Sequence, residues 1–150
     1  MGKDDIHFFY QRDIQRVIDE IGLFKDEANI WKIAGSIKNS AGNLALHLTG
    51  GLNYLIGTNL SNTGYVRNRD AEFTIKGVGK EQLIEQLQEL KSMIDKTISS
   101  LTEEQLESCF PIFFDKENAT IRYVLIQLLL HLNYHLGQIN YLRRMLEFGD

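Results

Sequence analysis

Two histidines of the sequence, His131 and His135, are four residues apart, and a third, His47, lies far upstream. Side chains four residues apart on a helix face the same way, with Cβ atoms about 6 Å apart, so this pair can share one metal ion. Three imidazole ligands from two helices would leave coordination positions open, as in catalytic rather than structural sites. The spacing therefore favours a metal centre formed by His47, His131 and His135.

The alternative for each histidine is a hydrogen-bonded side chain inside the core, which is the commoner case for one such residue taken alone. All three lie on apolar stripes, however, and burying three polar rings without a ligand is unfavourable. The joint pattern thus favours metal binding. Leu132 follows the first histidine of the pair, where a zinc protease carries its catalytic glutamate, and this argues against proteolysis.

Polar residues near the histidines are candidates for hydrogen bonding close to the metal or in a substrate pocket. They are Asn43, one turn before His47, Tyr54, two turns after it, and Gln138, just beyond the histidine pair. The alternative is that they are ordinary polar residues at the surface or between helices. The histidine-bearing stripes offer no Asp or Glu as a general base, and no catalytic residue is identified. Asp13 is the next carboxylate to consider, but its place at the edge of an apolar stripe predicts that it faces solvent.

The remaining reactive groups receive simpler interpretations. His7 is expected at the surface or an interface, and Cys109 is expected to be a small buried apolar residue that has no partner for an internal disulfide. The segment 77–80 lacks the first glycine and the Ser or Thr of a phosphate-binding loop. Four arginines are candidates for binding an anionic substrate, although charges on a solvated surface are the ordinary explanation. They are Arg67, Arg69, Arg143 and Arg144.

Four long segments have apolar residues at helical spacing and predict an all-α fold. They run from about Asp4 to Phe24, from Ser40 to Leu60, from Lys80 to Leu101 and from Thr120 to Phe148. Ser40 is a good N-cap for the second helix. Gly50 and Gly51 weaken that helix by about 1 kcal/mol each relative to Ala, which predicts that another group closely approaches the face they form.

Helices of this length with unequal connections indicate a four-helix bundle, and the whole chain, residues 1–150, is predicted to be one domain. The connection between the second and third helices, 61–79, is long enough to be either a functional loop or a partly extended segment. The next connection, 102–119, opens with a capping-box pattern for one short helix. Its aromatic residues at 110–114 are expected to pack over an end of the bundle.

Composition narrows the class of protein further. The chain has 150 residues and a net charge of −4, which argues against nucleic-acid binding. Its longest apolar stretch is too short to span a membrane. The N-terminal residues are charged and contain no apolar signal segment, and the single cysteine fits a reducing compartment, so we expect a cytoplasmic protein.

The segments from Asn43 to Leu48 with Tyr54, and from His131 to Ile139, resemble the DinB/YfiT-like superfamily, and the similarity extends over nearly the whole chain. The segment 67–73 is similar to that of an uncharacterised bacterial branch. The resemblance implies a four-helix bundle, commonly dimeric, with a divalent metal held by histidines at positions 47, 131 and 135. It also implies relatives that are metal-assisted transferases or isomerases dependent on thiols such as bacillithiol or mycothiol, and others with no assigned activity.

These observations together predict a divalent-metal-dependent enzyme that acts on a small molecule, as a thiol-dependent S-transferase or isomerase, or as a hydrolase. Zinc or nickel suits imidazole best, with iron and manganese as alternatives. The resemblance implies a homodimer and, for the transferase, a low-molecular-weight thiol as cosubstrate. The competing hypotheses are a non-catalytic metal-binding or stress-related dimer, and a metal-free helical interaction protein.

Overall fold

The computed structural model describes residues 1–147, which are largely helical and contain no strand beyond two isolated bridges. We number six helices in chain order: α1 (Lys3–Leu23), α2 (Ala41–Leu52), α3 (Arg69–Thr74), α4 (Lys80–Ser100), α5 (Glu103–Leu106) and α6 (Ile121–Leu146). A 3₁₀ helix covers Glu27–Trp31, and α2 continues through a π-helical segment, Asn53–Thr58, into a last turn at Asn59–Ser61. The all-helical prediction is confirmed.

Local capping explains where the long helices begin. The side chain of Ser40 accepts the backbone N–H of Asn43 at the start of α2, and Thr120 does the same for Tyr123 at the start of α6. The predicted capping box is present at α5, where Thr102 and Gln105 bond reciprocally. The last helix ends at Leu146, and its predicted end at Phe148 lies outside the described residues.

The four long helices share one core. Helix α1 packs against α4 and α6, and α2 packs against the same two helices. Each helix buries the apolar stripe that its periodicity predicts, and each fully buried Leu or Ile contributes about 1.5–3 kcal/mol. The buried hydroxyl of Tyr10 on α1 donates to the carbonyl of Leu125 on α6, 2.5 Å away, which ties these two helices together.

The long connection after α2 is more ordered than a loop, because it contains α3, which packs directly against α2. The side-chain amide of Asn43 donates to the carbonyls of Glu72 and Ile75, at 2.9 and 2.8 Å. These two bonds hold the C-terminal half of α3 against α2. Helix α3 is thereby fixed beside the histidine of that helix.

Two sequence predictions about burial are wrong. Asp13 is fully buried rather than solvent-facing, because its carboxylate accepts hydrogen bonds from Arg12 at 2.8 Å and from Asn133 of α6 at 2.7 Å. Cys109 is exposed rather than buried, since it lies in the irregular connection before α6. Of the aromatic residues that follow it, Phe110 is buried in the core, whereas Phe113 is largely exposed.

Within residues 1–147, no helix has both the length and the apolar character needed to cross a membrane.

Candidate metal centre

The three histidines meet between α2 and α6. His47 extends from α2 and is buried, while His131 and His135 extend from consecutive turns of α6. The Nε2 atoms of His47 and His131 are 3.0 Å apart, and one ring nitrogen from each of the three lies within 4.8 Å of the others. Packing of α2 against α6 thus brings together residues that are 84 positions apart in the chain.

Hydrogen bonds at the far side of two rings define their protonation. His47 Nδ1 is 3.1 Å from Glu72 Oε1, and His135 Nδ1 is 2.6 Å from Gln138 Oε1. Both partners are acceptors, so each Nδ1 carries the proton and each Nε2 presents a lone pair. The Nε2 atom of His135 is buried and has no hydrogen-bond partner among residues 1–147. A metal ion is the ligand that would satisfy such an atom.

Electrostatics keep the cluster neutral. Burial lowers the pKa of His47 and of His135 below the usual value for histidine. His131 is the most exposed of the three, and its partial desolvation, followed by the positive charges that His135 and His47 would carry, lowers its pKa to about 4. Neutral imidazole is the form that binds metals, so all three side chains are ready ligands near neutral pH.

The donor set fits a divalent ion. Zinc–nitrogen bonds of about 2.0–2.1 Å in a tetrahedral site place ligand nitrogens roughly 3.3 Å apart, within the range of separations found here. Imidazole nitrogen suits zinc, copper, iron and nickel. The three histidines can therefore hold a metal ion, although their chemistry does not select one metal.

A buried ion pair supports the cluster from behind. Glu72 of α3 is only 5% exposed, and its two carboxylate oxygens accept hydrogen bonds from Arg67 at 2.9 and 3.0 Å. The same carboxylate accepts the Nδ1–H of His47, the arrangement that orients metal-binding histidines in many sites. Sequence reasoning missed Glu72 because it considered carboxylates on the long helices, those that carry the histidines and then Asp13, and not in the connection that contains α3.

The two glycines of α2 make room for this ion pair. A Cβ atom at Gly50 would lie 2.1 Å from Glu72 Oε2, and one at Gly51 would lie 3.2 Å from Arg67 Nη2. The prediction of a close approach to this face is confirmed. The two glycines were thus the one signal in the sequence that a further element packs against this face of α2.

Two cavities flank the cluster along the groove between α2 and α6. The first has a volume of about 420 Å³ and is lined by His47 and His131 together with Arg67 and Arg69. The second has a volume of about 580 Å³ and is mostly apolar. Its walls include His135, Gln138, Tyr134, Tyr141 and Met145. Small molecules can thus approach the histidines from either end of the groove.

The other predicted site residues differ in their positions. Gln138 contacts the cluster through His135, as described above. Asn43 is buried, but its side chain holds α3 in place instead of lining a cavity. Tyr54 lies in the π-helical segment and lines neither cavity. His7 bonds Asp95 of α4 at 2.6 Å, away from the other three histidines.

These features define an all-helical protein with three histidines, able to hold a metal ion, in a groove between two helices. The chain belongs to the family described as "Protein of unknown function (DUF1572)", whose model matches residues 7–150. No curated protein and no solved structure matches the chain.

Proposed function

We propose that this protein is a DinB-like metalloenzyme that holds one divalent ion through His47, His131 and His135 and acts on a small molecule. The observation that carries the proposal is the convergence of three imidazole nitrogens within 4.8 Å, one of which is buried and has no hydrogen-bond partner in the described part of the chain. The reaction is a thiol-dependent S-transfer or isomerisation, or a hydrolysis.

The assignment to a DinB-like four-helix bundle rests on three features. The long helices α1, α2, α4 and α6 share one core, the histidines lie on the second and last of them, and the motifs around these histidines resemble those of the superfamily. The family match over residues 7–150 is consistent with this assignment, because it covers the same helices.

Chain residues supply the preorganisation that such chemistry needs. A bound divalent ion would act as a Lewis acid and would lower the pKa of a water or thiol in the site. His47 is held by Glu72 with its Nε2 lone pair directed at His131, so the ligand set is oriented before any ion arrives. Leu48 and Leu52 line the adjoining cavity and give it an apolar wall beside the cluster.

A thiol cosubstrate suits the site because the protein offers no thiol of its own there. Cys109 is exposed and lines neither cavity. We propose zinc or nickel as the resident metal, with iron and manganese as alternatives. Imidazole is a good ligand for zinc, nickel and iron and a poorer one for manganese. The protein would work in the cytoplasm.

A homodimer is the proposed assembly. Helix α6 carries a stripe of exposed apolar and aromatic side chains, each more than half exposed. The stripe consists of Leu130, Tyr134, Tyr141 and Met145. Exposed apolar surface of this kind marks interaction sites, and the repeat of four, seven and four residues keeps the stripe on one helix face.

The second candidate function is a non-catalytic metal-binding or stress-related dimer. It is favoured by the scarcity of general bases: Asp115 is the one carboxylate residue that lines the cavity next to His47 among residues 1–147, and its Oδ2 accepts hydrogen bonds from Tyr123 and Gln127. In that case the metal would stabilise the helices without turnover.

The two candidates separate in an activity screen of metal-free and metal-reconstituted protein. One arm measures consumption of a low-molecular-weight thiol with a small electrophile, and the other measures hydrolysis of activated esters. The enzyme proposal expects turnover that requires metal and disappears in His131→Ala but persists in His7→Ala. Tight metal binding with higher thermal stability but no turnover in either arm would favour the non-catalytic protein.

A further inference from the structure

Two arginines, Arg67 and Arg69, line the smaller cavity beside the cluster, and they differ in their bonding. Arg67 is engaged by Glu72 through both Nε and Nη2, and its side chain is mostly covered. Arg69 lines the same cavity, yet it forms no ion pair and no hydrogen bond through its side chain within residues 1–147. Its guanidinium carbon lies 5.9 Å from the centre of the Phe73 ring.

The position of Arg69 follows from the fold. Asn68 caps α3 by accepting the backbone N–H of Ala71, so Arg69 is the first residue of that helix. The bonds of Glu72 to His47, and of the Asn43 amide to the carbonyls of Glu72 and Ile75, then fix α3 against α2 beside the histidines. Arg69 is therefore presented on a rigid element at the wall of the cavity, with its five N–H donors available to a ligand.

The other walls indicate what the ligand looks like. Apolar side chains form much of the cavity: Leu48, Leu52, Leu55, Leu128 and Phe114. A ligand with an apolar body would bury it here, while an anionic end would pair with the guanidinium, which binds carboxylates and phosphates with two parallel hydrogen bonds. Asp115 is the opposing charge in this cavity, and its Oδ2 is bonded to Tyr123 and Gln127.

We propose that the cavity formed by His47, His131 and Arg69 binds a small substrate with an apolar body and a carboxylate or phosphate group, which Arg69 recognises. This inference rests on the proposed function, because it places the substrate of the metal centre. It adds the chemical class of that substrate and a specificity-determining residue. Failure of the metal centre and failure of anion recognition by Arg69 give different results in the experiment that follows.

The probes are benzoate and phenyl phosphate, with benzamide as the neutral match for benzoate. Binding is measured by titration calorimetry to metal-free protein and to cobalt-loaded protein, and the visible spectrum of the cobalt form reports whether the ligand reaches the metal. Arg69→Gln removes the proposed contact, and Arg69→Lys keeps the charge without the paired donors. Arg144→Gln is the matched control, since this arginine is exposed on α6 and lines neither cavity.

We expect an anionic probe to bind the wild type and to lose about tenfold or more in affinity in Arg69→Gln, with a smaller loss in Arg69→Lys and none in Arg144→Gln. The inference is overturned if benzamide binds as tightly as benzoate, if neither anion binds, or if Arg69→Gln and Arg144→Gln behave alike. If cobalt does not bind, or binds equally to His47→Ala, the proposed metal centre is wrong, while calorimetry of the metal-free protein still tests Arg69.

Discussion

Replacing Gly50 by Ala tests whether the ion pair behind the histidines is as tightly packed as its geometry indicates. The added Cβ would lie 2.1 Å from Oε2 and 2.7 Å from the carboxyl carbon of Glu72. The carboxylate must therefore retreat by about 1 Å or more to reach ordinary contact distance. Glu72 is buried and its Cγ would be only 3.2 Å from the same Cβ, so rotation of the carboxylate alone does not relieve the contact.

The magnitude follows from the hydrogen bonds that this movement breaks. Glu72 accepts bonds of 2.9 and 3.0 Å from Arg67 and of 3.1 Å from His47, which a shift of that size takes out of range. A hydrogen bond to a charged group contributes about 1.5–3 kcal/mol, and the higher helix propensity of Ala returns about 1 kcal/mol. Losing one of the three bonds therefore makes Gly50→Ala about 0.5–2 kcal/mol less stable than the wild type, and losing two makes it about 2–5 kcal/mol less stable.

Gly137→Ala is the matched control, because it is also a helical glycine near the cluster but its Cβ would meet no atom within 4 Å. Gly137→Ala gains only the higher helix propensity of Ala, so it is expected to be about 1 kcal/mol more stable than the wild type. Thermal unfolding of the metal-free proteins should place Gly50→Ala about 1–8 °C below the wild type if one bond is lost, and further below if two are lost, whereas Gly137→Ala should lie about 2–4 °C above it. If Gly50→Ala were as stable as Gly137→Ala, the Glu72 carboxylate would not be packed tightly against position 50, contrary to the geometry described here.

Three further predictions address the same region and the far end of the molecule. Glu72→Gln should weaken metal binding by about 10–100-fold, because it replaces the charged carboxylate that orients His47 by a neutral amide. Competition with a chromogenic chelator measures this, and an unchanged affinity would contradict that role. The free energy of unfolding of the metal-free protein should fall as the pH falls from about 6.5, the pKa of histidine in the unfolded chain, towards 4. The lowered pKa of His131 means that the unfolded chain binds a proton at a higher pH than the folded chain does. A pH dependence as steep in His131→Ala as in the wild type would be inconsistent with this. Glu147→Gln should lower the free energy of unfolding by about 1–2 kcal/mol, since the carboxylate accepts hydrogen bonds from the backbone N–H groups of Lys25 and Asp26 at 2.9–3.0 Å. Urea denaturation measures this change, and an unchanged midpoint would contradict it.

The sequence predicted the elements that rest on local patterns. Apolar periodicity located the four long helices, and the capping residue Ser40 located the start of the second, because both signals act within a few neighbouring residues. The spacing of His131 and His135 also specifies one helix face, so their proximity was predictable. The position of His47 beside them depended on the further inference that the two helices pack together.

The parts that were missed depend on contacts between distant segments. Glu72 lies 25 residues from His47, in a connection whose composition gave no periodic signal, and only the glycines facing it indicated that something approaches α2. Asp13 was expected at the surface because an isolated carboxylate is rarely buried, but arginines of its own helix and Asn133 of α6 make that burial favourable. Such compensation arises only in the folded chain.

Elemental analysis by plasma mass spectrometry shows whether His47, His131 and His135 together hold one metal ion. Untagged wild-type protein purified without chelator is compared with His47→Ala, His131→Ala, His135→Ala and the control His7→Ala. We expect about one equivalent of a divalent transition metal per chain in the wild type and in His7→Ala, and a large loss in each of the other three variants. A wild-type protein that stays metal-free after incubation with zinc, nickel, iron and manganese, or a His47→Ala variant that keeps its metal, would show that the three histidines do not form one metal site.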